Sequence, residues 1–259
     1  MLTRSYIEQT DPPRPPTETL PTMYDLPSED PNETGLPDEY HYLQPQLLSA
    51  TLRLKNYATD RIFSVGDMNL YYNPHQPNWY KRPDWFLVLG APRLYEGRAM
   101  RLSYVVWQEG VSPFVVVELL SPGTEKEDLG ETQTEAGAPP SKWIVYEQIL
   151  RVPYYIIFDR YTDHFRAFGL TKGRYHSLDI ADNRLWIPEL NLGLGTWQGE
   201  YTGVSRKWLR WYEEGGQWVP TDAEMAEQAQ TQLLEERRQR ERLLEQLRAR
   251  GIDPNELLG

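Results

Sequence analysis

Two carboxylates and one amine in this chain stand where a folded protein would not leave them idle. The stretch Phe-Val-Val-Val-Glu-Leu-Leu (114–120) is apolar and β-branched except for Glu118. An ionised carboxylate taken out of water costs several kcal/mol unless it is paired or metal-bound, so Glu118 must have a partner. Asp84, preceded by Pro83, opens a second run of the same kind, Asp-Trp-Phe-Leu-Val-Leu (84–89). Two such strands side by side let the acids meet at their ends. Lys142 heads a segment of helical spacing that leads into a third apolar run. Two hard oxygen ligands beside an ammonium are the parts of a Mg²⁺-dependent phosphodiester site.

The elements that must position these groups can be read from pattern. Leu43–Leu54 fits a helix with Pro45 in its first turn, and Glu39 and His41 stand just before it. Glu39 is a candidate accessory ligand there, the other reading being a solvated or capping acid. Residues 61–72 resemble a strand kinked at Gly66-Asp67. Leu102–Trp107 alternates like another strand. Trp143, Tyr146 and Leu150 share one side of a helix over 142–150. Tyr154–Phe158 is a short buried strand ending at Asp159, whose carboxylate is suited to bonding loop amides. His164–Leu170 and Tyr175–Leu178 read as a hairpin turning at Lys172-Gly173, and short strand-like pieces follow Trp186. Helix-containing crossovers between strands imply an α/β class, a mixed sheet with helices packed on it.

Both ends differ from this middle. Residues 1–40 are rich in Pro and acid, including Pro-Pro-Arg-Pro-Pro (12–16), and read as an extended arm. Thr221-Asp-Ala-Glu224 is a capping box opening a charged helix to about Arg250, stopped by Gly251 and Pro254. Leu233, Leu243, Leu244 and Leu247 form a thin stripe on it, interrupted by Arg237 and Arg240. That stripe is too broken for a regular coiled coil, but it could pair with another copy, making a homodimer one expectation. The division is thus an arm over 1–40, a body over 41–220 and a helix over 221–259.

The net charge is −11. The arm and the C-terminal segment account for −7 and −3 of it, leaving −1 for the body. Nucleic-acid binding, which draws on Lys and Arg, is therefore permitted rather than indicated. With no cysteine there is neither a disulfide framework nor a thiolate metal site, as suits a cytoplasmic protein. No apolar run reaches membrane-span length, and the N-terminus lacks a basic-then-apolar signal pattern. The four histidines show no ligand spacing, which argues against zinc. Ser121 has no nucleophile-elbow context.

Pro83-Asp84, Val-Val-Val-Glu118-Leu-Leu-Ser-Pro, Lys142-(three residues)-Tyr146 and Val-Pro-Tyr-Tyr-Ile-Ile-Phe-Asp159 occur in an order that resembles the Uma2 family over roughly residues 40–190. The arm and the charged helix also look like that family's longer cyanobacterial members. The resemblance implies the PD-(D/E)XK fold of restriction endonucleases and Mg²⁺- or Mn²⁺-assisted hydrolysis of nucleic acid, DNA favoured. It implies that Asp84 and Glu118 bind the metal. The lysine usual two residues after the second acid is Leu120 here, so Lys142 is the candidate for a migrated catalytic lysine, with Lys126 its competitor. Asp128 caps a helix or assists the site, and Tyr146 packs or takes part in the chemistry. The missing Glu-x-Lys, the near-neutral body and the acidic arm also motivate a different class of function: an inactive nuclease fold acting through its arm and C-terminal helix.

Overall fold

The computed structural model describes residues 10–12, 38–73, 75–76, 79–95, 97–121, 125–131 and 137–250. Most of the arm expected over 1–40 lies outside them, as do Gly251 and Pro254. Helix α1 (Glu39–Ala50) starts four residues earlier than its apolar pattern suggests. The cause is Asp38, whose carboxylate accepts the backbone N–H of His41 at 3.1 Å and caps the helix. Glu39 and His41 are therefore inside the helix, and Pro45 falls in its second turn instead of its first.

Six strands make the main sheet: β1 (Ile62–Gly66), β4 (Trp85–Leu89), β6 (Val115–Leu119), β7 (Tyr154–Asp159), β8 (His164–Thr171) and β9 (Arg174–Ser177), in the order β1-β4-β6-β7-β8-β9. The expected kink at Gly66-Asp67 is a full break. Asp67 has φ +55°, and the chain resumes as β2 (Leu70–Tyr71). That strand joins β3 (Tyr80–Lys81) and β5 (Tyr104–Val105) in a small second sheet. The strand expected over 102–107 is cut to those two residues and continues as the short helix α2 (Val106–Glu109), closed by Gly110 at φ +71°. Among the pairs of the main sheet, β6–β7 is parallel and the others are antiparallel. A parallel pair needs a crossover. Here it holds α3 (Glu125–Asp128) and α4 (Lys142–Ile144), whose last turns widen into a π-helix over Val145–Ile149.

The central strands are buried on both faces, which is why they read as unbroken apolar runs. Trp85, Leu87, Val115 and Val117 face one core with α1 and the three-stranded sheet β10 (Arg184–Ile187), β11 (Leu192–Tyr201) and β12 (Val204–Tyr212). Phe86, Val88 and Val116 face the other core, with Tyr146, Val145 and Tyr155. Alternation puts the even-numbered positions 84 and 118 on this second face. Helix α1 is fastened to β12 by Gln44, whose amide donates to Leu209 O and accepts from Leu209 N–H, both at 2.8 Å. Trp85 Nε1 donates to Ser49 Oγ at 2.8 Å from the sheet side.

The C-terminal helix α5 (Asp222–Ala249) has the expected capping box. Arg210 on β12 clasps its start. The guanidinium stacks 4.2 Å from the Trp197 ring centroid, donates to Val219 O, and reaches Glu224 Oε1 at 3.0 Å. Beyond that joint no residue of α5 is buried. No described helix is long and apolar enough to cross a membrane.

Gly66 ends β1 where α1 crosses it. A Cβ there would stand 2.6 Å from Pro45 Cβ and 2.9 Å from the carbonyl oxygen of Asp84. Gly66→Ala is expected to lower stability by about 1–3 kcal/mol in urea denaturation. An unchanged midpoint would contradict this close packing.

Candidate active site

The antiparallel register of β4 and β6 pairs Trp85 with Val117 and Phe86 with Val116. One step further along, Asp84 falls opposite Glu118. The backbone N–H of Asp84 lies 3.4 Å from Glu118 Oε2, and Asp84 Oδ2 accepts the N–H of Leu119 at 2.6 Å. The two acids thus sit at one end of adjacent strands on one face, beneath α4.

Glu118 is fully buried. Its Oε2 accepts from Lys142 Nζ at 3.0 Å and its Oε1 from the Tyr146 hydroxyl at 2.7 Å. Lys142 and Tyr146 are four residues apart, so one helical face delivers both. The local helix is π-wound from Val145, a widening found often at functional sites. Lys142 Nζ also lies 2.8 Å from Oδ1 of the buried Asp128. The ammonium is thus shared by two carboxylates. Behind it, Glu127 accepts from Lys142 N–H at 3.2 Å and pairs with Lys81.

Burial pushes the Glu118 carboxyl up to about 7, against the pull of the Lys142 charge and with the charge of Asp84 adding to the rise. Burial also raises Asp84, opposed by His41, Lys142 and the Leu119 N–H. For Lys142, burial works downward, yet Asp128, Glu118 and Asp84 together hold its pKa well above the ordinary lysine value. The amine is a fixed cation in this setting.

His41 is the member of this cluster that the sequence pattern did not single out. It is buried, with Nδ1 at 2.9 Å from Asp38 Oδ1 and Nε2 at 3.0 Å from Leu119 O. Both partners only accept, so both ring nitrogens donate and the imidazole is a cation. Burial lowers its pKa, but the Asp38 hydrogen bond and the charge of Asp84 outweigh this and raise it. Asp38 is also paired with Arg160. The available signal was Asp38 three residues ahead of His41, a capping spacing that carries the ring back over the helix start.

A family model described as "Putative restriction endonuclease", Uma2, matches residues 21–201. The chain belongs to the Uma2 family. Among solved structures it is similar to one described as a putative nuclease belonging to DUF820 from Anabaena variabilis, at 11% identity with a TM-score of 0.42, over 60% of this chain and 76% of that one. No curated protein matches. The Uma2 match thus takes in every residue of the cluster around Glu118 and ends before β12 and the C-terminal helix.

Of the Uma2-type site residues anticipated from sequence, Asp84, Glu118 and Lys142 come together, joined by Tyr146 and Asp128. Of the two roles weighed for Asp128, a helix cap or assistance at the site, its Oδ1 beside Lys142 places it at the cluster. Tyr146 packs in the second core and its hydroxyl also donates to Glu118. Lys126 is exposed on α3 and Glu39 is exposed on α1, both turned outward by the same helices that turn Asp128 and His41 inward. Asp159 binds the Tyr161 N–H at 2.9 Å, the structural role expected of it. Among the described residues no group of three or more His, Asp or Glu is arranged to hold a metal ion.

The folded-state pKa of Glu118 lies above the free value of 4.5, so the folded state holds that proton more tightly. Glu118 therefore withdraws stability as pH rises from 4.5 to about 7 and has a level effect above that. In urea melts of chelator-treated protein, the stability of the wild type relative to Glu118→Gln is expected to fall through this window, by on the order of 3 kcal/mol. A difference that stays flat across the window would show that the carboxyl titrates as if exposed.

Proposed function

We propose that this protein hydrolyses phosphodiester bonds of nucleic acid, DNA in preference to RNA, using Asp84 and Glu118 as ligands of Mg²⁺ or Mn²⁺ and Lys142 as the catalytic ammonium. The observation that carries this reading is the opposition of Asp84 and Glu118 across β4 and β6, with Lys142 Nζ 3.0 Å from Glu118. Mg²⁺ is commonly bound by one or two carboxylates, with water and substrate phosphate completing its shell. A pair of acids fits that donor set without a third protein ligand, and its burial-raised pKa values are what a nearby cation would relieve. When bound, the ion would polarise the phosphate and lower the pKa of an attacking water.

The remaining work falls to the chain itself. Lys142 has three N–H donors, two of them directed at Glu118 and Asp128, and a third suited to a phosphoryl oxygen. In a site shielded from water, such a fixed cation stabilises charge as it develops. Asp128 acts through Lys142 and is a positioning residue, as is Tyr146 through Glu118. His41 and Asp84 grip Leu119 from its two sides, which holds the end of β6 against α1. On this reading residues 41–220 carry the chemistry, and the arm and the C-terminal helix serve other purposes.

One observation favours a second reading, a nuclease fold that binds partners without catalysis. Both oxygens of Glu118 already have donors, and the side chain is sealed from solvent. Calorimetry with Mn²⁺ separates the two: uptake in the wild type that is lost in Asp84→Ala supports the enzyme, and no uptake in intact protein supports the binder.

With Mg²⁺ or Mn²⁺ and plasmid, linear and single-stranded substrates, the wild type is expected to cleave DNA. Lys142→Met is expected to slow cleavage about 10²–10³-fold, the usual cost of losing one charge-stabilising donor. Lys126→Ala should cleave at the wild-type rate. Cleavage that survives Glu118→Ala would reject the proposal.

A further inference from the structure

We propose that helix α5 pairs antiparallel with the same helix of a second copy of this chain, in a register centred on Arg238. The helix needs a cover. Leu233 is 48% exposed and Leu243 is 57% exposed, and no residue of the helix is buried. Positions 229, 233, 236, 240, 243 and 247 alternate four- and three-residue steps, the spacing of a seam between two helices. They are Ala229, Leu233, Glu236, Arg240, Leu243 and Leu247.

The two charges in the middle of this seam decide what fits it. In a parallel pair, Glu236 would meet the partner's Glu236, and Arg240 the partner's Arg240, two like-charge contacts. An apolar helix would desolvate both charges and offer neither a partner across the seam. Antiparallel pairing about Arg238 sets Glu236 against the partner's Arg240, and by symmetry Arg240 against the partner's Glu236. The same register sets Leu233 against the partner's Leu243, and Ala229, a small residue, against the partner's Leu247. The seam is therefore self-complementary in charge and in size, as a two-fold interface requires. The interruption of the leucine stripe becomes its register mark.

This arrangement fixes where the two bodies stand. The clasped helix start at Thr221 is 17 residues from the centre, about 25 Å at 1.5 Å per residue, so the two clasps lie about 50 Å apart along the rod. Each body keeps its own complete site.

The bland alternative is a solvated single helix in which Glu236 and Arg240 pair with each other one turn apart. Full-length protein tests between them. Sedimentation is expected to show a species of twice the 30.4 kDa chain mass. Glu236→Arg and Arg240→Glu are each expected to weaken self-association about tenfold or more, and an equimolar mixture of the two variants to restore it. Each variant carries like charges within its own helix, so rescue on mixing can only act between chains. Orientation is read with thiols, which the native chain lacks. Leu233→Cys mixed with Leu243→Cys should form a mixed disulfide under mild oxidation, and Leu233→Cys alone should not dimerise covalently. A monomer at all concentrations, a failure of the mixture to rescue, or ready cross-linking of Leu233→Cys to itself would each overturn the proposal.

Discussion

The site depends on one ammonium kept charged out of water. Lys142 is at hydrogen-bonding distance from Glu118 and from Asp128, both fully buried. Removing three charged groups from solvent is costly, and only their mutual attraction in a medium of low polarity offsets it. Much of the surrounding architecture serves that arrangement. The parallel β6–β7 pair demands a crossover, and the crossover is where α3 brings Asp128 and α4 brings Lys142. The π-wound turns that follow place Tyr146 under the second oxygen of Glu118. One helical face can present Lys142 and Tyr146 together, and Asp128 arrives from the separate helix α3.

Much of this was legible in the sequence because cost leaves a trace. An acid inside a β-branched run must have a partner, and Glu118 could be picked out for that reason alone. Asp84 followed from its place at the head of a second apolar run, and the antiparallel register that sets it opposite Glu118 was visible only in the fold. Several strands of the main sheet were recognisable as apolar runs, though their order was not, and the C-terminal helix was recognisable from its capping box. The choice of lysine was harder, since Lys126 and Lys142 differ little in sequence. Which way a short helix turns its side chains depends on what it packs against, and Trp143 against Tyr155 and Phe168 settles that for α4.

The rest was hidden for equally physical reasons. The start of α1 is set by the Asp38 side chain, a single polar contact that an apolar count misses. Its consequence is that His41, which looks like one of four scattered histidines, becomes a buried cation touching Leu119. The break after Gly66 and the conversion of 106–109 from strand to helix both turn on positive-φ residues, Asp67 and Gly110. Alternating hydrophobicity carries no mark of either.

Arg210 ties the C-terminal helix to the body with stacking, carbonyl and carboxylate contacts at once. The preceding residue on that strand, Leu209, is gripped by Gln44, which lies three residues beyond His41 on α1. Rod and body are accordingly joined through one arginine and the strand that carries it. The start of the rod and the strand end beside Asp84 therefore share one support, since β12 holds the first and is itself held by the helix whose first turn carries His41.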